Sequence, residues 1–469
     1  MLFNSLDFIL LFMPIVLLTA RVLRGNALLF WISFSSAVFY AFAGHIWFLI
    51  PMAITTSLDF WIGGRLTVSS SAAMRKFYLV VSLVCNLGLL AYFKYSGLLL
   101  HTIQSAALHL GMHGLPINIQ WALTVILPAG ISFYTFQTIS YVMDIYRGNA
   151  GREPNFLKYL SFVAFFPHLV AGPLTRHNQL LPQLTRIADH GIKPRWEEGI
   201  YLFVIGLAKK VLIADRIANG IDPLISDIGN AGLLTAWIAL LGFALQIYFD
   251  FSGYSDMAIG LGRLFGIELP RNFNSPYQAR NPSEFWQRWH ITLSQWLRDY
   301  LYISLGGNRC SHNRRQFNLM TTMILGGLWH GGNWTFAFWG FLHGALLMLY
   351  HSRENAWNTL SHSLQRNLTF LFVCLAWVPF RSDSLSHMFV WYAAMVGAHG
   401  IKGPAFHPSI IVWLVPLEAL ALTVVFRLKN SLEISYLNLS RPKLLLLAAT
   451  ATLSILLMNF SSRFLYFQF

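Results

Sequence analysis

Three stretches of the chain carry side chains whose types and spacing suit chemistry. The first is LGGLWHGGNWTFAFWGFLHG, residues 325–344. It places His330 where one apolar run ends and another begins, and His343 thirteen residues later within the second run. Imidazole titrates near neutral pH, so each ring suits a general base; the alternative for each is a hydrogen-bonded packing residue. Gly326, Gly327, Gly331 and Gly332 permit close backbone approach or room for a substrate. Trp329 and Asn333 flank His330, and Asn333 is either an orienting group or a helix cap.

The second stretch is NPSEFWQRWHITLSQWLRDYLYISLGGNR, residues 281–309. On a helix, Trp286 and His290 stand at i and i+4, as do Ser294 and Arg298, giving one aromatic and one charged stripe. Arg288, Arg298 and Arg309 present planar donor forks suited to phosphate. A basic, aromatic groove of this kind fits a nucleotide-bearing donor such as a coenzyme A thioester; contact with lipid headgroups is the alternative. The third stretch, FDFSGYSDMAIGLGRLFGIELPRNFNSPY (residues 249–277), sets Asp250 and Asp256 about the end of an apolar run. They mark either the entry of a polar ligand or structural pairing with Arg263, Arg271 or Arg280.

Other chemistries lack their signatures. The histidines show neither HxxxH nor HExxH, which argues against zinc. No GxSxG elbow supports a serine triad, and the glycines near 260 lack a βαβ context. Cys85 and Cys374 sit in apolar runs as packing residues, and Cys310 lies in a basic loop.

The elements that position these residues must be membrane helices. Hydrophobic residues make up 55% of the 469 and charged residues 11%, where soluble domains carry roughly 25% charged. The expected fold is an all-α polytopic membrane protein of about 11–12 transmembrane helices. Spans read at about 3–20, 27–43, 46–63, 77–100, 121–143, 199–217, 233–249, 317–329, 334–350, 368–380, 410–426 and 444–460. The run 317–329 is too short to cross ~30 Å, which would sink His330 below the outer surface. Arg65, Arg75, Lys76, Arg147, Arg152, Lys158, Arg353, Arg366, Arg427, Lys429, Arg441 and Lys443 fall in alternate loops, placing both termini outside. The first run has Asp7 before it and Arg21 and Arg24 after it, so it reads as a retained helix rather than a cleaved signal.

The net charge of +14 therefore belongs to topology, and nucleic acid is not an expected partner. Segments 161–173 and 285–305 break the helical pattern and read as re-entrant or interfacial; 386–398 is a weaker case. The chain reads as one integral membrane domain, with N-terminal helices in 1–150, a catalytic core in 151–380, and C-terminal helices with an outer aromatic tail in 381–469. No internal repeat of the transporter kind is visible.

RWHITLSQWLRDYLYISLGG and GLWHGGNWTFAFWGFLHG resemble the membrane-bound O-acyltransferases, in the branch of bacterial alginate O-acetyltransferases and their teichoic-acid D-alanylation relatives. GISFYTFQTISYVMDIYRG (130–148), FFPHLVAGPLTR (165–176) and the 249–277 segment resemble that branch too. The resemblance implies a ring of helices around a tunnel, with the catalytic histidine at His330 and the family's upstream histidine at His290. It implies acetyl-CoA as donor, a periplasmic acyltransferase partner, an exported polysaccharide as acceptor and a bacterial inner-membrane location. The tail SSRFLYFQF places Tyr466 among phenylalanines. By resemblance to the D-alanylation proteins Tyr466 is a candidate acyl relay; an interfacial aromatic belt is the alternative.

Overall fold

The computed structural model describes residues 2–111, 125–434, 440–458 and 464–465. Among these the structure is helical, without strands. In a bilayer this is one of the two backbone solutions that pair every amide internally. Five described helices are long and apolar enough to span by length and composition alone: Gly25–Ala43, Ile46–Val68, Ala72–His109, Leu233–Leu264 and Pro408–Arg427. The chain is an all-α, multi-pass membrane protein. It divides into two compact units, residues 1–200 with 258–270, and residues 201–257 with 271–469.

The first unit begins with a π-helical turn, Asp7–Phe12, running into α1 (Met13–Val22). Then come α2 (Gly25–Ala43), α3 (Leu49–Val68), α4 (Ala72–His109), α5 (Ile131–Arg147), α6 (Phe156–Ala164) and α7 (His177–His190). Phe3, Phe8, Phe12, Phe39 and Phe166 pack as one aromatic cluster, with Phe3 and Phe8 at 5.0 Å between ring centroids. Buried Asp59 on α3 accepts from Ser82 (2.6 Å) and Asn86 (2.7 Å) on α4, and Asn86 accepts from Thr138 on α5 (3.1 Å). The expected break in 161–173 is present, since α6 ends at Phe165 and a single turn, Phe166–Leu169, follows. His168 satisfies the interrupted backbone: one ring nitrogen pairs with the Phe162 carbonyl (3.1 Å) and the other with Thr175 (2.8 Å).

The second unit holds the chemistry-bearing stretches. α8 (Trp196–Ala208), whose first residues belong to the first unit, passes through a π-helical turn, Lys209–Ala214, into α9 (Asp215–Ser226). α10 (Leu233–Leu264) follows, with its last turns assigned to the first unit. The 285–305 segment is broken as expected, by α11 (Pro282–Arg288), α12 (Ile291–Trp296) and a π-helical turn, Leu297–Tyr302. The break falls at His290, a non-glycine residue in the left-handed region (φ 41°). Then come α13 (His312–His330), α14 (Trp334–Ser352), α15 (His362–Arg381), α16 (Leu385–Met395), α17 (Pro408–Arg427) and α18 (Arg441–Leu456).

α13 corrects the reading of 317–329. The helix starts five residues earlier, at His312, and its 19 residues rise about 28 Å. Its first turns carry His312, Arg314 and Arg315, so hydropathy alone clips it. α13 and α14 form a tight antiparallel hairpin. A Cβ on Gly327 would lie 2.2 Å from the Phe336 carbonyl oxygen, and one on Gly340 would lie 2.3 Å from that of Met323. These two glycines let the backbones touch and fix where α13 delivers His330.

Candidate active site

His330 is the last residue of α13 and is buried at 5% exposure. Three rings enclose it edge to face: Trp329 at 5.0 Å, Trp339 at 5.1 Å and Phe380 at 5.3 Å between centroids. It is nonetheless a wall residue of a cavity of about 430 Å³, a size ordinary for a ligand site. One face of α13 runs the length of this cavity through Arg315, Leu319, Thr322, Met323, Gly326 and His330. Arg315 and His330 are fifteen residues apart, or about 22 Å along the axis. The facing walls come from the broken segment, including Trp286, Ser294 and Arg298, and from Trp339 and His351 of α14. The cavity is thus a slot with Arg315 toward the start of α13, Arg298 on a facing wall and an imidazole at the end of α13. Such a slot suits an elongated ligand with an anionic head and a reactive tip.

The broken segment is anchored by a residue that sequence reading missed. Asn272 presents its side-chain oxygen to the His290 ring (3.2 Å), the Thr292 hydroxyl (2.8 Å) and the Thr292 backbone N–H (3.3 Å). Its backbone carbonyl accepts from the Ile291 N–H (2.9 Å). His290 is fully buried, with Phe251 at 4.7 Å and Trp329 at 5.9 Å. Trp329 therefore stands between the two histidines, and His290 is not among the cavity walls. Its place at the left-handed break gives it a shaping role on the loop that forms the wall.

The remaining candidates separate clearly. Arg298 lines the cavity beside its neighbour Asp299, to which it is paired at 2.7 Å. Arg288 pairs with Glu284 (2.8 Å) and donates to the Asn274 carbonyl, away from the walls. His343 is buried in a box of Trp286 (5.0 Å), Trp339 (4.8 Å) and Phe285 (6.0 Å), behind two tryptophans that do line the cavity. Asn333 caps α14 by accepting from the Thr335 N–H (3.1 Å) and donates to the Asp383 carbonyl (2.7 Å), the cap alternative read in the sequence. Tyr466 lies outside the described residues. Among the described residues no group of three His, Cys, Asp or Glu side chains is placed to hold a metal.

Asp250 belongs to a different cluster. It is 2% exposed and pairs with Lys210 (2.7 Å), which also pairs with Asp215 (2.7 Å). Its second oxygen accepts the backbone N–H of Leu465 (2.9 Å), and the Phe464 ring lies 4.7 Å from the Lys210 ammonium. Asp256 pairs with Lys209 (2.6 Å). The pairing alternative was thus the right frame for these aspartates, with lysines in place of the arginines considered. The signal was available as adjacent lysines in an otherwise apolar run, Gly206–Ala214. Arg315, the other missed wall residue, was hidden by the clipped start of α13.

The sequence profile of MBOAT, the membrane-bound O-acyltransferase family, matches residues 149–378. A Pseudomonas aeruginosa protein named probable alginate O-acetylase AlgI is 41% identical over 403 residues, covering 84% of this chain and 75% of that protein. The chain belongs to the membrane-bound O-acyltransferase family. A Helicobacter pylori peptidoglycan O-acetyltransferase is 36% identical, over 86% of this chain and 81% of its own length. A Bacillus subtilis teichoic acid D-alanyltransferase is 27% identical, over 55% and 69%. The cavity, with all its wall residues between Ser283 and His351, lies wholly inside the span matched by the family profile. The protein is a membrane-embedded acyltransferase.

Proposed function

We propose that this acyltransferase transfers an acetyl group from cytoplasmic acetyl-CoA across the membrane for O-acetylation of an exported polysaccharide of the alginate kind, with His330 as general base. The observation that carries the reading is that one helix face links two arginine-bearing walls to a buried imidazole along a single slot. Arg315 and Arg298 take the phosphates of the donor by their guanidinium forks. The thioester then lies toward His330, where aromatic walls exclude bulk water. His330 accepts the proton of the acceptor hydroxyl as its oxygen attacks the thioester carbonyl carbon. The carbon–sulfur bond breaks, CoA leaves as the thiolate toward the arginine end, and the imidazolium then gives up its proton. His290 and Asn272 act by holding the wall, and His343 by backing Trp286 and Trp339.

Loop cations support a cytoplasmic arginine end and an inner-membrane protein with both termini outside. A separate periplasmic acyltransferase is the proposed next carrier of the group. Tyr466 is the candidate relay to it. The Helicobacter relative favours peptidoglycan as the second acceptor class. The test is proteoliposomes with acetyl-CoA inside, scored for CoA release, together with acetyl-ester content of secreted glycans. His330→Gln is expected to abolish both while leaving the protein folded. Unchanged acetyl ester in that variant would overturn the reading.

A further inference from the structure

A second groove, in the same unit but apart from the catalytic slot, has the chemistry of a phospholipid site. One face of α15 passes Ser363, Arg366, Phe370 and Cys374, at spacings of three, four and four residues. Its first part walls a polar cavity of about 790 Å³ with Arg427 at the end of α17. Its second part walls a cavity of about 230 Å³ that is almost wholly apolar, against Trp237 and Leu241 of α10. Phe426 joins the two: its ring packs on Phe370 at 5.3 Å and lies under the Arg366 guanidinium at 5.3 Å.

The charges have no internal counterpart. Among the described residues neither Arg366 nor Arg427 has a carboxylate within 4.0 Å, and the buried Nε of Arg366 makes no hydrogen bond. The two arginines share their cavity with the hydroxyls of Ser363 and Thr423, the second cavity is apolar, and Arg366 stands about 12 Å from Cys374 along α15. Two unmatched guanidiniums at one end of an apolar slot, on helices of membrane-spanning length, match a phosphodiester joined to an acyl chain.

We propose that this groove holds one anionic phospholipid, with its phosphate between Arg366 and Arg427 and one acyl chain along Phe370 and Cys374 against Trp237 and Leu241. The site stands independently of the acyl-transfer reading, because none of its residues lines the catalytic slot.

The test is native mass spectrometry of the full-length protein in detergent, offered phosphatidylglycerol or phosphatidylcholine of equal chain length. The wild type is expected to retain phosphatidylglycerol at least fivefold better. Arg366→Gln with Arg427→Gln lowers that retention to the phosphatidylcholine level, and so does the exposed Arg427→Gln alone in part. Leu241→Trp, which fills the apolar part, lowers retention of both lipids. Equal retention of the two lipids by the wild type would overturn the site, as annular lipid only. So would unchanged phosphatidylglycerol retention in the arginine variants, or full displacement of the lipid by millimolar inorganic phosphate.

Discussion

Two polar clusters lie buried in the unit of residues 201–257 and 271–469, and they are built in opposite ways. Around Lys210, two carboxylates and an aromatic ring surround one ammonium, and a backbone amide donates to one of those carboxylates. Around His330 the neighbours are three aromatic rings, and one side opens on a cavity. Both sets are ionisable residues in an apolar setting, the ordinary mark of function in a membrane protein. The difference is that one set is closed on itself while the other lines a space.

That contrast is open to attack by substitution. The largest effect is expected at His330, where His330→Gln lowers the rate of acetyl transfer at least 10³-fold, or about 4 kcal/mol in barrier, with the unfolding midpoint nearly unchanged. Asp250→Ala should do the reverse. It takes from Lys210 one of its two carboxylates and from the Leu465 amide its acceptor, and destabilises the fold by about 1–3 kcal/mol, with activity per folded molecule retained; a thermal unfolding series with activity normalised to folded protein separates the two. Next is Arg315→Gln, which should raise the donor KM about tenfold and leave kcat within a factor of two. A fall in kcat alone would place Arg315 away from the donor. Asn333→Ala is expected to cost about 1 kcal/mol of stability through the lost α14 cap, with kcat unchanged.

The smallest effect lies outside the spans. Glu268 meets Arg195 and Arg263, whose hydrogen bonds hold its carboxyl below the usual range. A carboxyl depressed in the folded state adds stability above its unfolded pKa and loses it as pH falls through the folded one. Glu268→Gln should therefore flatten the acid limb of the stability curve by ~0.5 kcal/mol or less, because the side chain is more than half exposed.

The sequence carried the membrane class and both broken segments, because each is a local property of composition or turn chemistry. It also singled out His330, a histidine between glycine pairs at the meeting of two apolar runs, and the structure places that residue in a cavity wall. It did not carry the wall. Arg315 faces the slot only because α13 begins in polar residues that hydropathy assigns to a loop. Asn272 organises His290 from eighteen residues upstream, and Lys210 meets Asp250 from forty residues away, distances over which no periodicity speaks. Asn333, by contrast, was legible as a cap because capping is written within two residues.

The amide that Leu465 gives to Asp250 arrives 215 residues after its acceptor. At ordinary translation speeds of about 5–20 residues per second, the Lys210 cluster waits roughly ten to forty seconds on the ribosome before its last donor is made. During that interval the half-built nest must be tolerated by the insertion machinery. Early release of the nascent polypeptide would thus leave a specific defect at depth, recognisable by cellular surveillance, and not merely a shortened end.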